Sequence, residues 1–294
     1  MNQSIVNAIH QLAKNRNQSF IDPALYQPTD LMRGRDALER RQVRLVHSKT
    51  AGDIVRVQRI ADQTIVDYVV QYEWLIKQKD QLYVEERQER RRAQLRAGDV
   101  EIDEEMMLDE QELDPTSPLL PNVVEELDES RQKSRYNRRA AVRYAERWWN
   151  DYNPDYNRFT DNCTNFISQC LYAGGAPMNR TGQKSKGWWT DGASWSLSWT
   201  VAHSLRWYLS GSSKGLKGEE KETASELEPG DVICYDFTGD GRWQHTTIVV
   251  AKDENNEPLV NAQTVNSRMR YWTYEDSTAW TPEIKYKFFK IVVI

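Results

Sequence analysis

Apolar residues recur at helical spacing in three stretches of the chain. Ile5, Ile9 and Leu12 form one stripe and predict a short amphipathic helix near the amino terminus. A second helical segment is expected near residues 29–39. In the third stretch, residues 134–149, Tyr, Ala, Val and Trp positions line one face and arginines the other, which predicts a helix that opens a second domain.

Between residues 43 and 84 the pattern changes from the period of a helix to that of strands. β-branched and aromatic residues are grouped there in short runs, and such residues favour strands. The polar stretch 77–80 has the composition of a turn between two of these runs. The pattern therefore predicts that residues 1–97 form a small α+β domain with an antiparallel sheet.

Residues 98–133 differ from both neighbours in charge. From Asp99 to Glu129 there are thirteen Asp or Glu residues and no Lys or Arg, and three prolines interrupt the segment. Because such a segment cannot bury enough apolar surface to fold alone, we predict a partly disordered acidic linker between domains 1–97 and 134–294. The basic run 87–92 just before it is interpreted as a solvated strand end or helix face rather than as a nucleic-acid patch.

Composition and charge argue against several classes of protein. A net charge of -5 over 294 residues gives no reason to expect nucleic acid as a partner. The three cysteines lie in apolar or helical segments without a CxxC spacing, so we expect no disulfide, no structural zinc and no cofactor. The amino terminus lacks the basic start and apolar core of a secretion signal, and no apolar run reaches about 18 residues. We therefore expect a cytoplasmic protein without a transmembrane segment, with non-classical export and a longer precursor as the alternatives.

Cys163 is the candidate nucleophile. It precedes an apolar pattern of helical spacing, and Asp161 or Asn162 can cap the start of that helix. Unpaired backbone N–H groups and the positive end of the helix dipole favour a thiolate at such a position. Cys170 and Cys234 lie inside apolar runs and are interpreted as buried small hydrophobes.

His245 is the candidate base, since it stands between a polar turn and an apolar run with the composition of a strand. An imidazole near Cys163 would take the thiol proton and later protonate the leaving amine. Its second ring nitrogen needs a polar partner. Asn261 and Gln263 alternate with apolar residues, so both amides share one face of a strand and either could orient the ring.

The remaining candidate residues would contact the substrate. The backbone N–H of Cys163 is expected to hold the oxyanion, with Tyr156 or Asn162 as the second donor. Most tryptophans of the chain are expected in the core. Trp189 and Trp195 could instead line a cleft that accepts a peptide or sugar-peptide chain.

Three motifs, in this order, carry a resemblance to a known family. They are Cys163–Gly175, the aromatic stretch 188–200, and Leu227–Ile233 followed by Asp240–His245. Over residues 136–294 the chain resembles the bacterial putative amidase domain family, which is similar to the CHAP and NlpC-type papain-like cysteine hydrolases. The resemblance implies a papain-like fold, in which the nucleophile begins a helix packed on an antiparallel sheet. It also implies hydrolysis of an amide bond, in the wider family that of a cell-wall (peptidoglycan) peptide.

Two positions depart from the family pattern. Asn162 stands where relatives usually have Asp, with Asp161 one place earlier. Gln263 stands where relatives often have a second histidine, so the motif match favours it over Asn261 as the residue that orients His245. An amide would hold the imidazolium without compensating its charge.

Three hypotheses of function follow. The first is a cysteine amidase or peptidase that acts through an acyl-enzyme on a peptide such as a cell-wall peptide, with the first domain positioning the substrate or binding a protein partner. The second is a binding or structural protein that keeps the papain-like scaffold without efficient catalysis, as the unusual Gln263 suggests. The third is an acyl transferase, in which an amine captures the same thioester.

Overall fold

The computed structural model describes residues 3–22, 29–106 and 136–294. In chain order its helices are α1 (Gln3–Ile21), α2 (Thr29–Arg40), α3 (Arg138–Trp148), α4 (Cys163–Ala173), α5 (Leu197–Thr200) and α6 (Ala202–Gly211). Its strands are β1 (Arg44–Ile60), β2 (Gln63–Gln78), β3 (Gln81–Arg96), β4 (Asp99–Glu105), β5 (Leu216–Lys221), β6 (Val232–Asp236), β7 (His245–Lys252), β8 (Pro258–Ala262), β9 (Ser267–Tyr271) and β10 (Lys285–Val293). Every pairing of these strands is antiparallel, which confirms the predicted α+β class. No helix of the described ranges is both long and apolar enough to cross a membrane.

The chain divides into two compact units, and each unit is discontinuous in sequence. The first contains Met1–Leu108 and Val265–Trp280, and the second contains Asp109–Thr264 and Thr281–Ile294. The sequence assigns all of residues 134–294 to one domain, and the structure corrects this boundary. The segment that begins at Val265 completes the first unit because β9 pairs with β3.

The sheet of the first unit runs β1-β2-β3, and β4 and β9 both pair with the other edge of β3. Alternate residues of β2 are buried, as the predicted strand period requires. The predicted amino-terminal helix is present as α1, whose Phe20 stacks on Trp74 with ring centroids 4.3 Å apart. The helix expected near residues 29–39 is confirmed as α2.

Alternate residues of β3 are buried as well, but four of them are charged, namely Glu85, Arg87, Glu89 and Arg91. Arg87, Glu89 and Arg91 are at most 4% exposed, which corrects the prediction that the run 87–92 is solvated. Arg16 of α1 lies 3.0 Å from the carboxylate of Glu89, and Arg91 lies 2.9 Å from it. Each buried charge therefore has an opposite charge in contact, without which its burial would be strongly unfavourable.

The strand β4 lies inside the segment that the sequence predicts as a linker, so the linker boundary at residue 98 is corrected. Asp103 of β4 binds the buried Arg91 of β3 with a nitrogen–oxygen distance of 2.8 Å. The acidic residues at this position thus complement the arginines of the neighbouring strand. The rest of the predicted linker, residues 107–133, lies outside the described residues.

The sheet of the second unit has the order β8-β7-β6-β10-β5. The strand β6 is buried along its whole length, as are the first six residues of β7. The predicted helix over residues 134–149 is present as α3, which packs with α6 around α4. Nine of the eleven residues of α4 are buried, so its first residue is held firmly against the start of β7.

Candidate active site

The helix α4 begins at Cys163, and a residue 101 positions further along the chain holds its first backbone groups. The N–H groups of Asn162 and Cys163 each donate to Oγ1 of Thr264 at 2.9 Å. The same hydroxyl donates to Oδ1 of Asp161 at 2.8 Å. Thr264 therefore caps the helix, which corrects the caps predicted for Asp161 and Asn162. Asn162 occupies the cap position without a side-chain bond to the helix backbone.

The backbone of Thr264 is strained. Its φ angle of 89° lies in the left-handed region, which a β-branched residue rarely adopts because its side chain is crowded there. Such a conformation persists only where the surroundings fix it. The three hydrogen bonds of the Thr264 hydroxyl are part of what fixes it here.

The thiol of Cys163 is almost completely enclosed, with 1% of the residue exposed. Its sulfur lies 3.6 Å from the hydroxyl oxygen of Thr164, which lies 3.1 Å from the hydroxyl oxygen of Thr246. The backbone N–H and the hydroxyl of Thr246 also donate hydrogen bonds to the sulfur. The thiol thus sits in a small polar pocket between the first turn of α4 and the first residues of β7.

Burial raises the pKa of the Cys163 thiol to about 12, and the negative charge of Asp161 acts in the same direction. Hydrogen bonds from Thr164 and Thr246 favour the thiolate but do not offset the loss of hydration. The sequence predicts a thiolate at this helix terminus. The structure corrects that prediction, since a thiol with this pKa is neutral at pH 7.

His245 is the first residue of β7 and is 8% exposed. Its ring packs against that of Tyr235, its partner across the strand pair, with centroids 5.6 Å apart, and against Phe237 at 6.1 Å. The peptide group that joins His245 to Thr246 carries the N–H that bonds to the sulfur of Cys163. The structure therefore brings the backbone of the candidate base next to the candidate nucleophile.

Gln263 has partners other than the candidate base. Its Nε2 donates to the carbonyl oxygens of Trp148 and Asp151 at 2.6 and 2.7 Å, and its Oε1 accepts a hydrogen bond from the amide of Asn162. Both N–H groups of this side chain are thereby in use, and its oxygen keeps one lone pair beyond the bond from Asn162. The amide ties the end of α3 to the loop that precedes α4, and its role in orienting His245 stays a prediction.

The side chains of Asn261 and Asn162 also bind the scaffold. Nδ2 of Asn261 donates to Oε1 of Glu146 on α3 at 2.8 Å. Oδ1 of Asn162 accepts the N–H of Phe159 at 3.0 Å and the amide of Asn165 at 2.9 Å. These bonds fix the loop that leads into α4.

Three aromatic residues were expected near the substrate. Trp189 is 4% exposed and belongs to the core. Trp195 is half-buried, and the edge of its ring meets Phe159 with centroids 4.9 Å apart. Tyr156 is also half-buried and stacks on Trp199 at 6.2 Å. Of the three, Trp195 and Tyr156 keep exposed surface that a ligand could contact.

Three threonines of the site have no counterpart among the predicted residues. Thr164 and Thr246 directly follow the candidate nucleophile and base in sequence, and this adjacency was a usable signal. Thr264 offers no such signal, because its role depends on a positive φ that its residue type disfavours.

The other two cysteines are buried, as predicted. Cys170 and Cys234 are free thiols with no exposed surface, and burial raises the pKa of each. Among the described residues, no group of three or more His, Cys, Asp or Glu side chains is arranged to hold a metal ion.

The family of the chain is shown by comparison with known proteins. The sequence model of the putative amidase domain matches residues 135–289, which is more than half of the 294 residues. The chain belongs to this family, and the predicted resemblance is confirmed. Membership suggests hydrolysis of an amide bond.

Two similar proteins come from Bacillus subtilis (strain 168). The uncharacterized protein YhbB is 49% identical over 272 residues, which are 88% of this chain and 85% of YhbB. The uncharacterized protein YjcM is 32% identical over 126 residues, which are 40% of this chain and only 28% of YjcM. No solved structure matches the chain.

Proposed function

We propose that the second unit is a papain-like, cysteine-dependent amide hydrolase, with Cys163 as nucleophile and His245 as general base. One observation supports this assignment above the others. The sulfur of Cys163 lies at the amino terminus of a buried helix and accepts a hydrogen bond from the peptide N–H between His245 and Thr246. Cys163 and His245 are 82 positions apart in the sequence, yet the fold brings their backbones close together. The chain belongs to a family named for amidase activity, which agrees with this assignment.

The proposed reaction begins with transfer of the thiol proton of Cys163 to the imidazole of His245. The sulfur attacks the carbonyl carbon of the substrate amide and forms a tetrahedral oxyanion, which the backbone N–H of Cys163 stabilises once that group is free. The intermediate expels the amine, which takes the proton from His245, and a thioester remains on the sulfur. Water, deprotonated by His245, then hydrolyses the thioester to a carboxylate and the free thiol.

We propose a peptide as the substrate, with a cell-wall peptide as the first to be tried. Tyr156 and Trp195 offer half-exposed aromatic surface against which a peptide or sugar-peptide chain could pack. Neither residue takes part in the bond-breaking steps. Their replacement is therefore expected to raise KM more than it lowers kcat.

A second candidate function is binding without catalysis. It is favoured by the enclosed thiol of Cys163, whose pKa is raised to about 12, and by the occupied N–H of the same residue. In that case the papain-like scaffold would hold a peptide without cleaving it. The two candidates differ in whether products form and in whether Cys163 is needed.

The test is incubation of the full chain with purified cell-wall peptides and mass spectrometry of the products. Hydrolysis is expected in the wild type and should be lost in both Cys163→Ala and His245→Ala. Cys234→Ala is the matched control, because it removes another buried thiol of the second unit, on β6. Peptide binding without products, unchanged in Cys163→Ala, would favour the second candidate.

A further inference from the structure

One hydroxyl group saturates the start of α4. Oγ1 of Thr264 accepts the N–H groups of Asn162 and Cys163 and gives its own hydrogen to Asp161. A hydroxyl has one donor and two acceptor lone pairs, so all three are in use. In the proposed reaction the N–H of Cys163 holds the developing oxyanion. In this structure that N–H donates its hydrogen bond to the side chain of Thr264 instead.

Ordinary helix capping does not account for this arrangement. A capping Ser, Thr, Asp or Asn normally stands directly before the helix, with an extended backbone. Asn162 occupies that position here and makes no side-chain cap bond. The cap comes instead from Thr264, whose φ of 89° is unfavourable for a threonine. Strain of this kind is typical of sites with a function beyond the fold.

The position of Thr264 in the chain supplies a further constraint. It is the last residue of the second unit before the chain passes into Val265–Trp280 of the first. Within the first unit, the carbonyl oxygen of Asn266 accepts the N–H of Gln88 at 2.8 Å, and the amide of Asn266 donates to Oε1 of Gln88 at 3.1 Å. The strained residue is therefore two positions from a point that is fixed in the first unit.

We propose that Thr264 is an internal plug of the active site, whose hydroxyl oxygen takes the place of the substrate carbonyl oxygen on the N–H of Cys163. This regulation rests on the proposed function. A substrate carbonyl oxygen accepts the same hydrogen bond, so it can replace the hydroxyl without leaving the helix terminus unsatisfied. Displacement also lets the backbone of Thr264 leave its strained conformation.

A cap and a plug make opposite predictions for reactivity. If Thr264 only caps α4, removal of its hydroxyl weakens the helix start and does not activate Cys163. If it plugs the site, the same change frees the N–H groups at the positive end of the helix, which favour the thiolate. Reactivity of the thiol then rises although stability falls.

The experiment compares three variants of the full chain. Thr264→Val keeps the β-branched shape and removes the hydroxyl, Thr264→Gly removes the hydroxyl and the strain of the positive φ, and Thr264→Ser keeps the hydroxyl. Thr281→Val is the matched control, because Thr281 stands where the chain returns to the second unit and its hydroxyl bonds to the carbonyl oxygen of Phe237. Iodoacetamide labelling of Cys163 at pH 8 is followed by peptide mass spectrometry. The three cysteine amides are followed in parallel by NMR of protein labelled with 15N-cysteine.

We expect Thr264→Val and Thr264→Gly to label at least about tenfold faster than the wild type, and Thr264→Ser and Thr281→Val within about twofold of it. The amide signal of Cys163 should shift and exchange faster in the first two variants only. Equal or slower labelling in both hydroxyl-free variants would overturn the plug, even if the amide signal shifts, because loss of a simple cap also removes the hydrogen bond of that amide.

The same measurements separate the plug from the proposed hydrolysis. Faster labelling and a shifted amide in Thr264→Gly, without hydrolysis in any variant, would sustain the plug and overturn the proposed reaction. Hydrolysis that depends on Cys163, with neither hydrolysis nor labelling faster in Thr264→Gly than in the wild type, would do the reverse. If Thr264→Val fails to fold, Thr264→Gly carries the test, because glycine adopts a positive φ without strain.

Discussion

At Cys163, burial and a helix terminus act in opposite directions on one thiol. The helix start and the hydrogen bonds from Thr164 and Thr246 favour the thiolate, yet burial raises the pKa to about 12. Burial therefore favours the neutral thiol, so the proposed reaction starts from a thiol that must first give its proton to His245.

The first prediction concerns stability at alkaline pH. The folded pKa of Cys163 lies above its unfolded value of about 8.5, so the neutral thiol stabilises the native state fully below pH 8.5. Above that pH the contribution falls by about 1.4 kcal/mol per pH unit, until the folded pKa is reached. Urea unfolding of wild type and Cys163→Ala from pH 7 to 10 should show the wild type losing its advantage. Parallel curves would mean that the thiol titrates normally in the native state.

The second prediction concerns Gln263. Removing its amide in Gln263→Ala leaves two carbonyl oxygens and the Asn162 amide without their present partner, and should lower the free energy of unfolding by about 2–4 kcal/mol. Gln263→Glu is the control of equal size. It cannot donate to the carbonyl oxygens of Trp148 and Asp151, so it should be at least as unstable. A normal unfolding curve with reduced turnover in both variants would restore Gln263 to the catalytic set.

Among the helices and strands, β3 differs most from its prediction, because the charged run that was expected to be solvated has buried members. Burial alone would raise the pKa of Glu89, but Arg87, Arg16 and Arg91 together hold it far below its usual range. The carboxylate is therefore charged inside the first unit and compensates several guanidinium groups. Removing one charged residue of such a cluster destabilises the fold strongly, because the opposite charges that it paired with stay buried without a counter-charge.

The third prediction follows from this cluster. Glu89→Gln should lower the free energy of unfolding by about 3–5 kcal/mol at pH 7. Because the folded pKa is depressed, the carboxylate stabilises the protein above an unfolded pKa of about 4.3 and loses that effect as pH falls. The difference between wild type and variant should thus narrow between pH 5 and pH 2 in thermal unfolding.

Glu73→Gln is the matched control for the buried glutamate. Glu73 lies on the neighbouring strand and pairs with Lys49 at 3.2 Å, with both side chains largely exposed. Its replacement should cost less than about 1 kcal/mol and change little with pH. Equal losses in the two variants would show that the β3 cluster is solvated after all.

The periodicity of the chain predicted the helices α1 to α4 and the first strands of the amino-terminal sheet correctly, since it follows from local burial. It could not show that Arg87 and Glu89 face inward, because their partners Asp276 and Arg16 lie far away in sequence. Charged residues at alternate positions have the same pattern whether they face water or one another.

The residues of the candidate site also fall into two groups, those that the local sequence predicts and those that it does not. Cys163 and His245 could be found because each has a local signature, a helix start and a strand start. The roles of Thr264 and Gln263 depend on which loop folds back against α4, and no local pattern contains that information. The same holds for the burial of the thiol, which depends on packing from several elements.

At the scale of the whole molecule, the first unit is built from two segments that are far apart in the chain. Its segment Val265–Trp280 supplies β9 and also contacts α2, since Arg33 donates to the carbonyl oxygens of Glu275 and Ser277 at 2.8 Å. Asp276 lies 2.7 Å from both Arg87 and Arg270. The first unit is therefore incomplete without residues from the carboxy-terminal part of the chain.

The fourth prediction is that a fragment of residues 1–108 does not fold stably by itself. It lacks β9 and leaves Arg87 without Asp276 in a buried position. A fusion of residues 1–108 to 265–280 through a flexible linker should recover cooperative unfolding, as measured by circular dichroism. The same fusion with Asp276→Ala serves as the control. A cooperative transition for the short fragment would contradict the discontinuous unit.

The split first unit also sets an order of events at the ribosome. Arg87 is synthesised 189 residues before Asp276, its partner in the finished protein. At roughly 5–20 residues per second, that interval lasts roughly 10–40 s. The second unit is still incomplete at that moment, because β10, which lies between β6 and β5, is translated after Asp276. The nascent amino-terminal sheet therefore waits with its charged face exposed to water or to a chaperone.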